Sequence, residues 1–490
     1  MKGLVKKIAA AAAALTAFIL VSCGARNDTS SIVDDSSSSA ESFGEEFSAE
    51  EGKPDDIVID FDSPSGNIPD PLAVSFSAVM PAFFADKNNE ITVEYGPTYF
   101  AGPSYGFSRN IAMLSLAMAW ANLSESKIKK FTENGPFEDA VFKSFRSENV
   151  TDSISYAIAK ICESDFDVIA VSVRGYDYAD EWIGNFDIGT EGYHRGFKAA
   201  ADVIYNDLSE YLQSSGPYGG RTVKLWLNGY SRGGAVANVL GCMLNDSGIT
   251  AEENIFVYTF EAPHGVSLYR EKADANIYNV ILSEDIVTHV VPEKLGLKRA
   301  GFDRDVFSAD YIEYYREYDP ESRPATFKSK RHADGKSLYA SVFSGLMQDP
   351  YVVGYLTMHD REAYVNNFSV NGKPMLGLVF RFAFYAPSRV ISRLAEELTG
   401  NGKSLVNLIG KIYDDPSALY DKVKPVFDEL GFSYGEDLEP CCFALQQLIR
   451  TVYYSGAYSP LDDVADVIDN VDYIYMMHSP ETVYLSLKNY

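Results

Sequence analysis

The chain has 490 residues, of which 46% are hydrophobic and 13% aromatic, enough apolar material for one large domain or two ordinary ones and too much for a disordered chain. Its formal net charge of −27 makes nucleic acid a poor partner and rules against attraction to anionic lipid headgroups by charge.

The N-terminus offers another route to a membrane. Lys2, Lys6 and Lys7 precede an apolar run from Ile8 to Val21, too short to span a bilayer and of the length of a signal h-region. The run ends Leu20-Val21-Ser22-Cys23-Gly24, which resembles the bacterial lipobox, so residues 1–22 are expected to be a lipoprotein signal peptide and Cys23 the lipidated residue. Residues 23–70 then read as a disordered acidic tether, because Asp34-Asp35 and Glu45-Glu46 sit among serines with few apolar side chains to bury. The expected location is the extracytoplasmic face of the cell membrane.

The folded part, residues 71–490, begins with apolar stretches at Phe107 to Ala121 and Thr151 to Cys162, both read as helices. Val168 to Val173 is a β-branched run of the kind found in central parallel strands. A helix from about Gly196 carries Ala200, Ile204, Leu208 and Leu212 at i, i+4 spacing and stops at Ser215-Gly216-Pro217. A strand through Val223–Leu227, a helix rich in Ala and Val, and strands at Ile255–Phe260 and Ile277–Leu282 follow. This alternation predicts an α/β architecture with a mostly parallel, doubly wound sheet, in which ligands bind at the carboxyl ends of the strands. Cys162 and Cys242 lie in apolar segments and read as packed thiols. Cys441-Cys442 lacks metal-type spacing, and neither a metal nor any other cofactor is called for.

One serine stands at such a strand end. Gly229-Tyr230-Ser231-Arg232-Gly233 joins the Val223–Leu227 strand to its helix, and a G-x-S-x-G turn between strand and helix exposes a serine hydroxyl while aiming helix N-terminal amides at the reacting oxygen. A serine needs an imidazole base, and the base needs a carboxylate. Asp285, two strands later at the end of Ile277–Leu282, is the candidate acid, with Glu284 its nearest rival.

Six motifs in order resemble the class 3 (fungal-type) lipases, and within them the bacterial lipase-like proteins whose elbow is G-x-S-R. They are VSVRG at 171–175, E-W-x-x-N at 181–185, H-x-G-F at 194–197, GYSRGGAVAN at 229–238, VYTFEAP at 257–263 and N-V-x-x-x-x-D-I-V at 279–287. The resemblance implies an α/β-hydrolase fold, hydrolysis of carboxylic esters, Ser231 as nucleophile, Asp285 as acid, and an oxyanion hole from the backbone N–H groups of Tyr176 and Arg232. In this fold the histidine comes last in the chain. His478, before a short amphipathic helix opened by Pro480, is the favoured base, and His359, in a similar setting, the alternate. With His478 as base, residues 309–470 become a mainly helical insertion. His194 reads as structural, while His264 stands on the active-site face. The expected activity is that of a lipid-anchored, monomeric serine hydrolase acting on acyl lipids. An esterase for non-lipid acyl groups and a catalytically inactive surface binding lipoprotein are the alternatives.

Overall fold

A computed structural model describes residues 70–81, 89–145, 154–175, 184–214, 221–318, 419–429 and 473–490, apart from single positions within them, with short pieces at 369–374 and 438–443. The expected signal peptide, nearly all of the tether, Tyr176, Glu181, Trp182, His359 and most of 309–470 lie outside the described residues.

The centre is a seven-stranded sheet. In chain order its strands are β3 (Glu138–Phe145), β4 (Ile154–Cys162), β5 (Phe166–Val173), β6 (Thr222–Tyr230), β7 (Ile255–Phe260), β9 (Ile277–Ile281) and β11 (Phe302–Asp305). The spatial order is β11-β9-β7-β6-β5-β4-β3. From β5 to β11 every neighbouring pair is parallel, and β4 runs antiparallel to both of its neighbours. A short antiparallel pair, β8 (Val266–Ser267) with β10 (Leu297–Lys298), braces the loops beyond β7 and β9. A separate antiparallel pair, β1 (Val74–Met80) with β2 (Asn89–Tyr95), lies outside the main sheet.

Helices cover both faces. On one lie α1 (Arg109–Ala121) and α2 (Glu125–Asn134), and on the other α3 (Arg195–Ser214) and α4 (Arg232–Ser247). The period-2 alternation of β6 divides the core. Trp226 and Tyr230 join the cluster beneath α1, while Leu225 and Leu227 join the one beneath α3 and α4. The Ala200, Ile204 and Leu208 stripe of α3 is fully buried there. α1 is buried almost all round because the sheet lies below it and further elements above. Its N-terminus is capped by the Ser108 side chain, and Ser115 accepts a 2.7 Å hydrogen bond from the Trp226 indole. Layers, parallel strands and the strand–serine–helix connection together define an α/β-hydrolase fold.

Two sequence expectations need correction. Ile154–Cys162 is strand β4, not helix. It is buried on both faces, so the alternation that identifies a half-exposed strand is lost, and a short apolar run of this kind reads equally well as helix. Cys162 is exposed at the end of that strand, so it is no packed thiol, whereas Cys242 is buried. No long helix separates β7 from β9: the crossover is a loop carrying β8. Within 309–470 the described pieces are α5 (Tyr311–Tyr318), α6 (Tyr420–Glu429), a single helical turn near 438–440 and a two-residue antiparallel pair at Ser369–Val370 and Lys373–Pro374. The last helix, α7 (Pro480–Asn489), packs against α5 and α1.

Candidate active site

Tyr230 ends β6 and Arg232 begins α4, so Ser231 alone makes the turn. It does so with φ 56° and ψ −126°, a region that residues with a Cβ rarely occupy. Close approach of three backbones imposes that geometry. A Cβ at Gly233 would overlap the carbonyl oxygen of Val173 at the end of β5, and one at Gly229 would overlap the carbonyl of Gly233. Gly175 likewise sits against the carbonyl oxygen of Tyr230. The Ser231 amide donates to the Phe260 carbonyl at 2.8 Å, tying the turn to β7.

Asp285 lies just past β9 and is completely buried. Its Oδ1 accepts from the Val287 amide at 2.9 Å, and its backbone is held by Asp285 N to Leu282 O at 2.9 Å and by the Thr288 hydroxyl to Asp285 O at 2.8 Å. Its Oδ2 is 2.6 Å from His478 Nδ1, and His478 Nε2 is 2.9 Å from Ser231 Oγ. A carboxylate can only accept, so Nδ1 carries the ring proton and Nε2 presents its lone pair to the serine hydroxyl. Burial raises the Asp285 pKa, but the adjacent His478, its hydrogen bond and the other donors outweigh burial and hold the carboxyl below its ordinary range.

His478 is fixed by the start of α7. Ser479 caps the helix, accepting from the Thr482 amide at 3.1 Å, with Pro480 in the first turn. Ser479 Oγ, Thr482 Oγ1 and the Tyr315 hydroxyl of α5 bond to one another at 2.9 to 3.1 Å, and Thr482 Oγ1 also donates to Met476 O at 2.7 Å. The Tyr230 ring lies 5.4 Å from the imidazole centroid.

The structure therefore brings Ser231, His478 and Asp285 into one hydrogen-bond chain. Arg232, the first residue of α4, follows the serine directly and has a buried side chain. Tyr176 and His359 lie outside the described residues. His194 is buried, stacked on Phe197, with Nε2 3.1 Å from Asn185 O and its pKa driven down to about 3, first by burial. His264 is tied through Nδ1 to Val291 O at 2.8 Å, and burial takes its pKa to about 3 as well. Both rings are neutral and structural. A cavity of about 330 Å³ between β2, α1 and α7, lined by Met113, Leu114 and Tyr484, includes none of the three triad residues.

Three residues within the family-like motifs had no role assigned from sequence. Asn279 Oδ1 accepts from Asn238 Nδ2 at 2.8 Å and from Thr259 Oγ1 at 2.7 Å, while Asn238 Oδ1 accepts from Ala300 N at 3.0 Å, a buried network fastening α4 to the strands beside it. Glu261, the residue after β7, is completely buried beside Asp285. Its position in VYTFEAP was the only signal.

A family model for class 3 lipases matches residues 170–295, a span that holds Ser231 and Asp285 but not His478. Solved structures with some likeness include the triacylglyceride lipase of Rhizomucor miehei, at 20% identity over 40% of this chain and 78% of that one, with a TM-score of 0.32. A lipase from Rhizopus microsporus var. chinensis is 19% identical over 41% of this chain and 75% of its own, with a TM-score of 0.30. A Yarrowia lipolytica lipase is 17% identical over 41% and 79%, also at 0.30. No curated protein matches the chain. The strand order and the elbow, rather than these distant likenesses, carry the fold assignment.

Proposed function

We propose that this protein is a serine hydrolase that cleaves carboxylic esters, with acyl lipids as its substrate class. The observation that carries the reading is the continuous chain from Ser231 Oγ to His478 Nε2 at 2.9 Å and from His478 Nδ1 to Asp285 Oδ2 at 2.6 Å. In this reading Ser231 attacks the ester carbonyl while His478 takes its proton. Asp285 holds the tautomer and stabilises the imidazolium that results. The Arg232 amide, at the positive end of α4, and the Tyr176 amide receive the tetrahedral oxyanion. His478 then returns the proton to the departing alcohol, and water activated by the same ring releases the acyl group. The match of residues 170–295 to class 3 lipases supports the choice of ester over amide and of acyl lipid over other esters.

Ser231→Ala is expected to reduce hydrolysis of p-nitrophenyl esters to background. A parental rate in that variant refutes the reading, and a series of acyl chain lengths separates a lipase from a short-chain esterase. Lipid anchoring at Cys23 on the extracytoplasmic face of the membrane is supported by the run ending Leu20-Val21-Ser22-Cys23. Cys23→Ser is then expected to move the protein from the membrane to the soluble fraction, because an acidic chain has no electrostatic hold on anionic lipid. Undiminished membrane fractionation refutes the anchor.

A further inference from the structure

Glu261 is held as closely as the triad itself, yet the mechanism above does not use it. It closes β7, the strand beside the serine strand, and it is fully buried at φ 48°, an uncommon backbone region for a side chain with a Cβ. Its amide donates to Val280 O at 3.0 Å, and its Oε1 accepts from the Leu282 amide at 2.9 Å. One of its carboxyl oxygens shares a sphere of 4.8 Å with an Asp285 oxygen and a His478 ring nitrogen. Oε2 has no conventional hydrogen-bond partner among the described residues, although it is inaccessible to solvent.

Two ionised carboxylates cannot share one dry site, so a proton must reside on one of them. Asp285 is the acceptor of two donors, the Val287 amide and the His478 ring, both of which favour its charged form. Glu261 accepts one. The proton therefore belongs to Glu261, and an O–H directed at Asp285 explains how a buried oxygen with no conventional partner is accommodated.

We propose that Glu261 is a positioning residue of the triad, a neutral carboxylic acid whose O–H donates to the Asp285 carboxylate and keeps that carboxylate aligned on His478 Nδ1. This rests on the Ser-His-Asp reading of the site. The electrostatics run the same way, since burial and then the Asp285 charge push the Glu261 carboxyl well above its ordinary range. The other titratable groups around it are Tyr230 at the end of β6, His478 before α7 and Asp305 at the end of β11. Raising the pH far enough to ionise Glu261 removes the donor and sets a second negative charge against Asp285. Alignment of the imidazole is then lost, and kcat falls on the alkaline side.

The test compares Glu261→Gln and Glu261→Leu in the full chain, with Ser231→Ala as reference. Glutamine supplies an N–H for Asp285 and an oxygen for the Leu282 amide, so it should retain most of the parental kcat. Leucine fills the volume without a donor and should lower kcat by about 10- to 100-fold, the scale on which partners that orient a functional histidine act, with little change in KM. The pH profile of kcat should lose its alkaline inflection, or shift it upward, in Glu261→Gln, which no purely structural role would produce. If the leucine variant does not fold, the glutamine profile still decides. A parental profile in Glu261→Gln, or a parental kcat in Glu261→Leu, overturns the proposal while leaving the triad intact. Turnover by Ser231→Ala overturns the triad reading instead.

Discussion

Replacing Ser231 by glycine and by alanine separates its chemistry from its backbone strain. Both substitutions remove Oγ, so both should abolish turnover, and both lose the 2.9 Å hydrogen bond to His478. They differ in the Cβ. At φ 56° and ψ −126° a non-glycine residue stores about 1–3 kcal/mol of strain, which alanine keeps and glycine releases. Against that gain, glycine adds freedom to the unfolded chain, at a cost of about 0.5–1 kcal/mol. The difference leaves Ser231→Gly about 1 kcal/mol more stable than Ser231→Ala. In a domain of this size that is a rise of about 2 °C in Tm, readable by differential scanning fluorimetry at one fixed scan rate. Ser231→Ala itself should melt close to the parent. A glycine variant melting at or below the alanine variant would refute the claim that the elbow is strained, whatever the two activities are.

His478→Ala should lower kcat by about 10⁴- to 10⁶-fold and Asp285→Asn by roughly 10⁴-fold, because triad members fail as a unit. His359→Ala should cost far less, and a steady-state assay giving the reverse order would move the base to residue 359. Gly233→Ala should destabilise the protein by about 3 kcal/mol or more, since its Cβ meets backbone of β5 that has no room to yield, while Gly102→Ala, with open space around it, serves as a neutral control in thermal melts. Because the folded-state pKa of Glu261 is raised, the stability it contributes is complete below its ordinary value of 4.5 and is lost as pH rises toward the folded value. Glutamine does not titrate, so the Tm of Glu261→Gln minus that of the parent should grow as pH is raised above about 4.5, and a constant difference would mean that the carboxyl is not neutral in the fold.

The parts of the fold legible in sequence were those whose signal is local. The β-branched run of β5 and the i, i+4 stripe of α3 each declare one element without reference to the rest. The elbow was legible because glycine is demanded on both sides of Ser231 by backbones that touch, and that demand is written in adjacent positions. β4 was misread because burial on both faces erases its period. Glu261 was not recognised because its meaning depends on Asp285, 24 residues away in sequence and adjacent only once β7 and β9 pair. A glutamate after an apolar strand looks like an ordinary solvated strand end until that pairing removes the solvent.

The distance between Asp285 and His478 along the chain poses a physical question, since a base delivered from 193 residues further on must be held to a few tenths of an ångström. The answer lies in how α7 is fastened. Val483, Leu485 and Leu487 are buried in the same cluster as α1, which contributes a hydrophobic anchor. Asn89 of β2 donates to Glu481 at 3.1 Å, and Arg109 at the start of α1 donates to the Leu487 carbonyl at 2.9 Å, so both ends of the helix are tied to elements that precede the serine strand. The Tyr315 hydroxyl adds a third tie to Ser479 and Thr482, immediately beside the histidine. The base is thus tied to the core of the hydrolase at both ends of α7 and at the histidine's own turn. Changes that disturb α5 or the seat of α7 should therefore alter kcat through His478.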